Sequence, residues 1–241
     1  MSDPLRDRAR RTRRSFLTGG IAGFLGWGAW LLATNSRDEG GIPAVFRRVL
    51  ELNGALWQRV ISPLRLSPEK ARQTGPARVN GDIGLQKPMD PANWKLKVED
   101  SLFVLTLEDL RKLPRTEVST EFKCIEGWKI DITYAGVRFS DFAEHYGLLR
   151  MWPYARIVGL ATPDREYYVS LDLPSMLHPQ TVLAYEMNGE PLTPEHGAPL
   201  RLVVPIKYGI KSLKRVGSLR FSAERLPDYW AEQGYDWHAT L

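Results

Sequence analysis

The sequence predicts an α+β domain dominated by strands in a mixed sheet, and three observations support this prediction. Apolar and polar residues alternate over many short segments, as they do in half-buried strands. Helical patterns are few and short, and no long crossover helix separates successive strands, which argues against a doubly wound sheet. From Arg78 to Leu241 there are roughly 160 residues, enough for one domain with a sizeable core.

The predicted elements of this domain follow one another closely. Strands are predicted at 94–100, 115–124, 128–137, 155–161, 166–170, 182–187, 200–204 and 213–222. A short helix over 106–113 begins after Thr106, whose hydroxyl suits an N-cap. A second helix over 139–147 takes Ser140 as its cap and ends at Gly147.

The first 36 residues have the layout of an export signal. Arg13 and Arg14 lie in the segment TRRSFLT, and an uncharged apolar stretch rich in glycine follows. This spacing resembles the twin-arginine signal, which directs folded proteins to a dedicated export machinery. A basic tail before a buried helix is the alternative. The signal is either cleaved or kept as an anchor, since the span 15–36 has about the 17 to 25 residues that cross a bilayer.

Net charge gives no support for a nucleic-acid partner. The formal net charge is +5, and residues 1–36 hold six arginines and two aspartates, a contribution of +4. The remainder of the chain therefore carries +1. Because the basic character belongs largely to the signal, we expect no nucleic-acid partner.

Residues 37–77 are predicted to hold a linker and an amphipathic helix, between the signal at 1–36 and a domain at 78–241. The apolar residues of this helix recur at three- and four-residue intervals: Val45, Val49, Leu52, Leu56 and Val60. Such a helix either packs on the domain, which is the more frequent outcome, or lies on a membrane surface.

Cys124, the only cysteine, lies between a strand-like run and a Glu-Gly-Trp turn. It has no partner for an internal disulfide, so it is a buried thiol, a reactive group or a metal ligand. A zinc site is not indicated, because there is no second cysteine and the histidines show no paired ligand spacing: His145, His178, His196 and His238. Nothing in the sequence pairs Cys124 with a histidine as a nucleophile.

A basic stretch over 196–217 offers a possible anion site. In its strand, Leu200, Leu202 and Val204 point to one side and Arg201 to the other. An arginine in an apolar strand needs a partner, because an unpaired buried charge is costly. Arg201, the amides around Ser212 and Lys214 together would hold a phosphate. The alternative is a strand pair whose lysines, Lys207, Lys211 and Lys214, are solvated.

Three segments resemble the sulfite-oxidase-type molybdopterin oxidoreductases. KCIEGW (123–128) resembles the segment around the family's molybdenum-ligating cysteine, and YAGVRFSDF (134–142) resembles its helix entry. The long stretch 185–214 resembles its pterin-binding region. The likeness runs from about Asn80 to Phe221 and is closest to the exported, haem-free members, such as the catalytic subunits of periplasmic methionine-sulfoxide reductases.

The resemblance implies a domain of the sulfite oxidase molybdopterin-binding type, with one molybdenum-molybdopterin per chain and Cys124 as the catalytic, metal-ligating thiolate. Arg201, Ser212 and Lys214 fall where the family holds the cofactor's phosphate, and His196 falls where it places an Asn or His. The full set of implied cofactor contacts is Asn80, Ile83, Gly84, Cys124, Thr162, His196, Arg201, Ser212, Leu213 and Lys214.

One departure from the family pattern bears on the substrate. Sulfite oxidases resemble Cys-x-Gly-Asn-Arg from the metal ligand onward, whereas here the sequence is Cys124-Ile-Glu-Gly-Trp128, without the arginine. The missing arginine favours reduction of a neutral S-oxide or N-oxide, such as protein methionine sulfoxide, unless Lys129 or another basic residue replaces its charge. Electrons would come from a membrane haem- or quinone-linked subunit, in the periplasm or at the outer face of the cytoplasmic membrane. Sulfite oxidation and a metal-free binding domain are the alternatives.

Overall fold

The computed structural model describes residues 4–37, 42–60 and 65–241, and the chain forms two compact units, Met1–Leu50 and Glu51–Leu241. In the first unit, helix α1 covers Pro4–Thr34, which lies within the predicted signal at 1–36. Among the described residues, no helix is both long enough and apolar enough to cross a membrane. The predicted divisions after residues 36 and 77 remain predictions.

The predicted amphipathic helix is confirmed as α2, Ala44–Val60. Four residues of its apolar stripe are exposed: Val45, Val49, Leu52 and Leu56. The side chain of Val60 lies outside what the structure describes. Packing of this helix on the domain stays a prediction.

Within residues 65–241 the strands form two sheets of five. The first sheet has the order β2 (Phe103–Leu105), β1 (Leu96–Val98), β10 (Ser218–Ser222), β5 (Ile157–Ala161), β6 (Tyr168–Asp172). The second has the order β3 (Arg115–Lys123), β4 (Lys129–Arg138), β7 (Val182–Met187), β8 (Glu190–Pro191), with β9 (Arg201–Val203) also paired to β7. Strands β1 and β10 are parallel and the other named pairs are antiparallel.

Short helices connect these strands, which confirms the strand-dominated α+β fold. They are α3 (Leu107–Arg111), α4 (Phe139–His145), α5 (Leu148–Met151), α6 (Leu173–Met176), α7 (Tyr229–Glu232) and the 3₁₀ turns Pro91–Asn93, Pro194–His196 and Gly209–Lys211. Thr106 caps α3 as predicted, in a reciprocal capping box with Asp109.

Two details of the sequence prediction are wrong. Helix α4 begins at Phe139, so Ser140 lies inside its first turn and does not cap it. The predicted strand 213–222 is a strand only over Ser218–Ser222. Arg215 has a φ of 51°, which interrupts the extended backbone before β10.

The core is divided between the two sides of β9. Leu200, Leu202 and Val204 belong to the larger apolar cluster, and Val203 belongs to a smaller one. Arg201 lies on the Val203 side and is 3% exposed. The predicted alternation along this strand is confirmed, and it places a charged residue inside the molecule.

Candidate molybdopterin site

A cavity of about 490 Å³ opens where the end of the β3–β4 hairpin meets the loop 78–83, the two 3₁₀ turns after β8 and β9, and the segment 230–235. Seven of the ten predicted cofactor-contacting residues line it: Asn80, Ile83, Cys124, His196, Arg201, Ser212 and Lys214. Residues from four separate regions of the sequence are thus brought together.

Cys124 follows the last residue of β3 and begins the tight turn to β4. Its N–H donates to the carbonyl of Trp128 at 3.0 Å, and its own carbonyl accepts from Gly127, whose φ is +89°. The side chain is nearly buried, and this burial raises the pKa of the Cys124 thiol. The Asn80 amide Nδ2 lies 3.9 Å from Sγ, so the thiol faces the loop 78–83 across the cavity.

Arg201 reaches the cavity between two aromatic rings. Its guanidinium carbon lies 4.9 Å from the ring centroid of Tyr134 and 5.8 Å from that of Phe122. Nη1 donates to the His196 carbonyl at 3.2 Å, while the buried Nε has no hydrogen-bond partner among the described residues. A buried guanidinium with an unused donor is suited to an anionic ligand.

Lys214 ties two edges of the cavity together. Its Nζ donates to the carbonyls of Asn80 and Gly81 at 2.8 Å each and to that of Glu195 at 2.7 Å. Burial, followed by the charge of Arg201, lowers the pKa of Lys214 to about 8. An added anion would favour the charged form of this amine.

His196 ends a 3₁₀ turn beside Lys214. Burial, together with the charges of Arg201 and Lys214, lowers the pKa of the His196 imidazole, so the ring is neutral at pH 7. The next residue, Gly197, has a φ of +96°, and a Cβ there would lie 2.7 Å from the Cβ of Lys214. Glycine therefore permits the close approach of the two segments.

Ser212 lies at the end of the Gly209–Lys211 turn. Its hydroxyl oxygen accepts from the Val204 N–H at 3.2 Å, and its own N–H donates to the Gly209 carbonyl at 3.0 Å. These bonds fix the turn to the end of β9, close to Arg201. The next residue, Leu213, is fully buried in the larger core cluster and does not line the cavity.

Gly84 and Thr162 do not line the cavity either, but they contact each other. Gly84 has a φ of +72°, and a Cβ there would lie 2.5 Å from Cγ2 of Thr162. Thr162 is fully buried and its hydroxyl donates to Asp164 at 2.6 Å. Gly84 directly follows Ile83 in the sequence, so this contact holds one end of the cavity-lining loop.

Several cavity residues were not predicted from the sequence. Phe122 and Tyr134 alternate inward on β3 and β4, and strand periodicity gives a signal for them. Trp230 and Tyr235 come from the segment after β10, with ring centroids 5.1 Å apart. No motif or periodic pattern marks these last two.

The cavity is also lined by Arg78, which was not predicted from the sequence to be a site residue. Arg78 stacks over Trp128, with Cζ 4.6 Å from the ring centroid, and both residues line the cavity. Lys129 does not line it and bonds instead to Glu121 at 2.9 Å. If a basic residue replaces the arginine missing after Cys124, the geometry favours Arg78 over Lys129.

Comparison with known proteins identifies the family. The family model "Oxidoreductase molybdopterin binding domain" matches residues 84–230, which is more than half of the chain. The chain belongs to this family. It is therefore an oxidoreductase with a molybdopterin cofactor, and the predicted family, fold and cofactor are confirmed.

Three curated relatives share this region. The uncharacterized oxidoreductase YuiH of Bacillus subtilis is 35% identical over 66% of this chain and 80% of its own length. A putative protein-methionine-sulfoxide reductase subunit, YedZ1, of Azospira oryzae is 28% identical over 93% of this chain and 86% of its own. The protein-methionine-sulfoxide reductase catalytic subunit MsrP of Campylobacter jejuni is 28% identical over 66% and 60%. Among solved structures, the sulfane dehydrogenase SoxCD of Paracoccus pantotrophus matches with a TM-score of 0.49 and 23% identity, over 57% of this chain and 40% of that one.

The residues of the cavity fit this cofactor. A thiolate at Cys124 is a soft donor of the kind a dithiolene-bound metal accepts. Arg201, whose Nε has no hydrogen-bond partner among the described residues, and Lys214 both line the cavity close to His196. These groups match the needs of a ligand that carries both a metal and a phosphate.

Proposed function

We propose that this chain is an exported catalytic subunit that reduces an S-oxide, for example protein methionine sulfoxide, by transfer of its oxygen atom to molybdenum. The observation that carries the proposal is the position of Cys124 in a cavity that is also lined by three partly exposed aromatic residues, Trp128, Trp230 and Tyr235. The names of two relatives, in Azospira oryzae and Campylobacter jejuni, point to the same substrate class.

In this proposal Cys124 would ligate molybdenum, and Arg201, Ser212 and Lys214 would hold the cofactor's phosphate. Asn80, Ile83 and His196 would contact the pterin, while Gly84, Thr162 and Leu213 would support these contacts from behind the cavity wall. The bound cofactor would supply the oxygen-accepting metal and the path for electrons. Reduction of a sulfoxide consumes two electrons and two protons, and it yields a thioether and water.

The aromatic side chains would bind and orient the substrate. A sulfoxide side chain is neutral overall, so it enters an apolar cavity without the desolvation cost of an ion. The Trp128 N–H donates to Glu126 at 2.9 Å, which fixes the face of the indole that contacts Arg78. Trp230 and Tyr235, perpendicular to each other, would exclude water on the other side.

Location and electron donor follow from the same proposal. Twin-arginine export would deliver the folded, cofactor-loaded chain to the periplasm or the outer face of the cytoplasmic membrane, where a membrane haem- or quinone-linked subunit would donate electrons.

The replacement of Arg13 and Arg14 by lysine should leave the protein in the cytoplasm, because an ammonium does not reproduce a planar guanidinium. Normal export of this double variant, measured by fractionation, would count against the twin-arginine signal.

Sulfite oxidation is the second candidate, and Arg78 is the observation that favours it. Its guanidinium lines the cavity and has no ion-pair partner within the described part of the chain. Steady-state assays would compare methionine sulfoxide plus reduced dye with sulfite plus an oxidised acceptor. We expect a higher kcat/KM for the sulfoxide. A kcat/KM for sulfite above that for every sulfoxide tested would overturn the direction of the reaction but leave the cofactor unchanged.

A further inference from the structure

A buried ion pair lies behind the cavity wall, in a region that the proposed chemistry does not use. Lys211 and Asp228 are 1% and 3% exposed, and the Lys211 amine contacts Oδ2 of Asp228. The same amine donates to the Ser170 carbonyl at 3.2 Å and lies 5.1 Å from the ring centroid of Trp237. The sequence alternative of solvated lysines is wrong here, and also for Lys207, which is 4% exposed.

Asp228 connects more than one element. Its Oδ2 accepts from the Ser170 N–H of β6 at 2.9 Å, in addition to the bond from Lys211. Its Oδ1 accepts from the Ala231 N–H at 3.1 Å and so caps helix α7. One carboxylate thus joins β6, the Gly209–Lys211 turn and α7.

Two of these three elements form walls of the cavity. The turn contributes Gly209 and Ile210 and leads directly to Ser212. Helix α7 contributes Trp230, whose carbonyl accepts from the Tyr235 N–H at 3.0 Å and so holds the second aromatic residue. Asp228 therefore connects the turn that leads to Ser212 with the helix that carries Trp230.

We propose that Asp228, acting through Lys211, is a positioning residue that holds the Gly209–Ser212 turn and the Trp230–Tyr235 wall at a fixed separation. The Tyr167 hydroxyl provides a second link, because it donates to the Ile210 carbonyl at 2.6 Å while its ring packs edge-on against Tyr229. A charged, fully hydrogen-bonded pair accepts few alternative geometries, which suits a role in fixing two segments.

A matched control exists in the same unit. Asp172 is also a helix cap, accepting from the Ser175 N–H of α6 at 2.8 Å, and it pairs with the buried Lys207 at 3.5 Å. Helix α6, which Asp172 caps, contributes no residue to the cavity, whereas α7, which Asp228 caps, contributes Trp230. Asp172→Asn and Asp228→Asn therefore remove the same charge from the same kind of site, and only one of the two sites is linked to the cavity walls.

The first readout does not require activity. Amide hydrogen exchange of the purified cofactor-free chain should accelerate about tenfold in Asp228→Asn, at both 209–212 and 229–235. In Asp172→Asn these two segments should exchange as in the wild-type chain. Equal exchange of the cavity segments in the two variants would overturn the positioning role.

The second readout separates positioning from simple stability. Lys211→Met with Asp228→Asn removes both charges and should restore the thermal midpoint, since no unpaired charge is left buried. Exchange at both segments should stay raised, and molybdenum per exported chain should be lower than in the wild-type protein. If the thermal midpoint, the exchange rates and the molybdenum content all return to their wild-type values, the two charges only neutralise each other, and the positioning role is overturned. If Asp228→Asn does not fold, the double variant still tests the positioning role by the same measurements.

A third readout rests on the proposed function. The double variant should raise the KM for methionine sulfoxide more than it lowers kcat, because the aromatic wall contacts substrate. If no sulfoxide is turned over even by the wild-type chain, the proposed function fails while the exchange and metal results still test the positioning role.

Discussion

Two buried cations of the same basic stretch have opposite surroundings. Lys211 contacts the Asp228 carboxylate, so its charge is matched within the fold. Arg201 lines the cavity, forms no ion pair among the described residues, lies between two aromatic rings and has a buried Nε without a hydrogen-bond partner. A buried charge paired within the fold is costly to unpair, whereas an unpaired one is costly to bury unless a ligand supplies the counter-charge. The difference assigns Lys211 to architecture and Arg201 to binding.

The largest effect predicted from this comparison concerns Lys211. Lys211→Met leaves Asp228 buried without its counter-ion, so we expect a loss of about 3–5 kcal/mol in the free energy of unfolding. Urea denaturation of the cofactor-free chain measures it. The exposed cation Arg111, paired with Glu108, provides a control whose replacement by Met should cost less than about 0.5 kcal/mol. Similar values for both variants would contradict the architectural role of Lys211.

Arg201→Met should have an effect of intermediate size and of a different kind. The cofactor-free chain should lose no stability, because the replaced charge has no counter-ion, and Met packs well against the rings of Tyr134 and Phe122. Cofactor retention should fall about tenfold or more, since a charge-assisted hydrogen bond contributes about 1.5–3 kcal/mol. The pterin and molybdenum contents per exported chain measure cofactor retention, and urea denaturation measures stability. Unchanged cofactor retention together with a large loss of stability would contradict the assignment of Arg201 to cofactor binding.

The smallest predicted effect is a dependence on pH. Burial lowers the pKa of Lys214 to about 8, from the ordinary value of 10.5. Between these values the unfolded chain binds more protons than the folded chain, so the stability of the cofactor-free protein should rise with pH. Lys214→Met removes this group and should make the rise less steep. Urea denaturation in steps from pH 8 to about 10 measures the free energy of unfolding. Equal slopes of this free energy against pH in the wild-type chain and in Lys214→Met would contradict the prediction.

Local patterns allowed part of the fold to be predicted from the sequence. The β3–β4 hairpin follows from alternation on both sides of a glycine turn, and the Thr106 cap follows from its spacing to Asp109. The Ser140 cap failed because Phe139 enters the helix one residue earlier, where its N–H donates to the Thr181 carbonyl at 3.0 Å. That partner is distant in the sequence, and no local pattern indicates it.

Contacts between residues distant in the sequence also limit how far the site could be predicted. Cys124 and Arg201 lie in segments that resemble a family, so their meeting at one cavity could be predicted. Lys211 looked like a solvated lysine because its partner, Asp228, is 17 residues away in a segment without a motif. Arg78 and Trp230 reach the cavity from loops and short turns, whose paths depend on tertiary contacts that periodicity does not encode.

Quantification of molybdenum in the Cys124→Ser protein, purified after export, tests the central claim most directly. We predict one molybdenum and one molybdopterin per wild-type chain. The serine variant should lose most of the metal or its redox signal, because a hard hydroxyl replaces a soft thiolate at the metal. Ile125→Val, a conservative change in the neighbouring cavity residue, should retain both. Full retention of metal and redox signal in Cys124→Ser would contradict the assignment of Cys124 as the ligand.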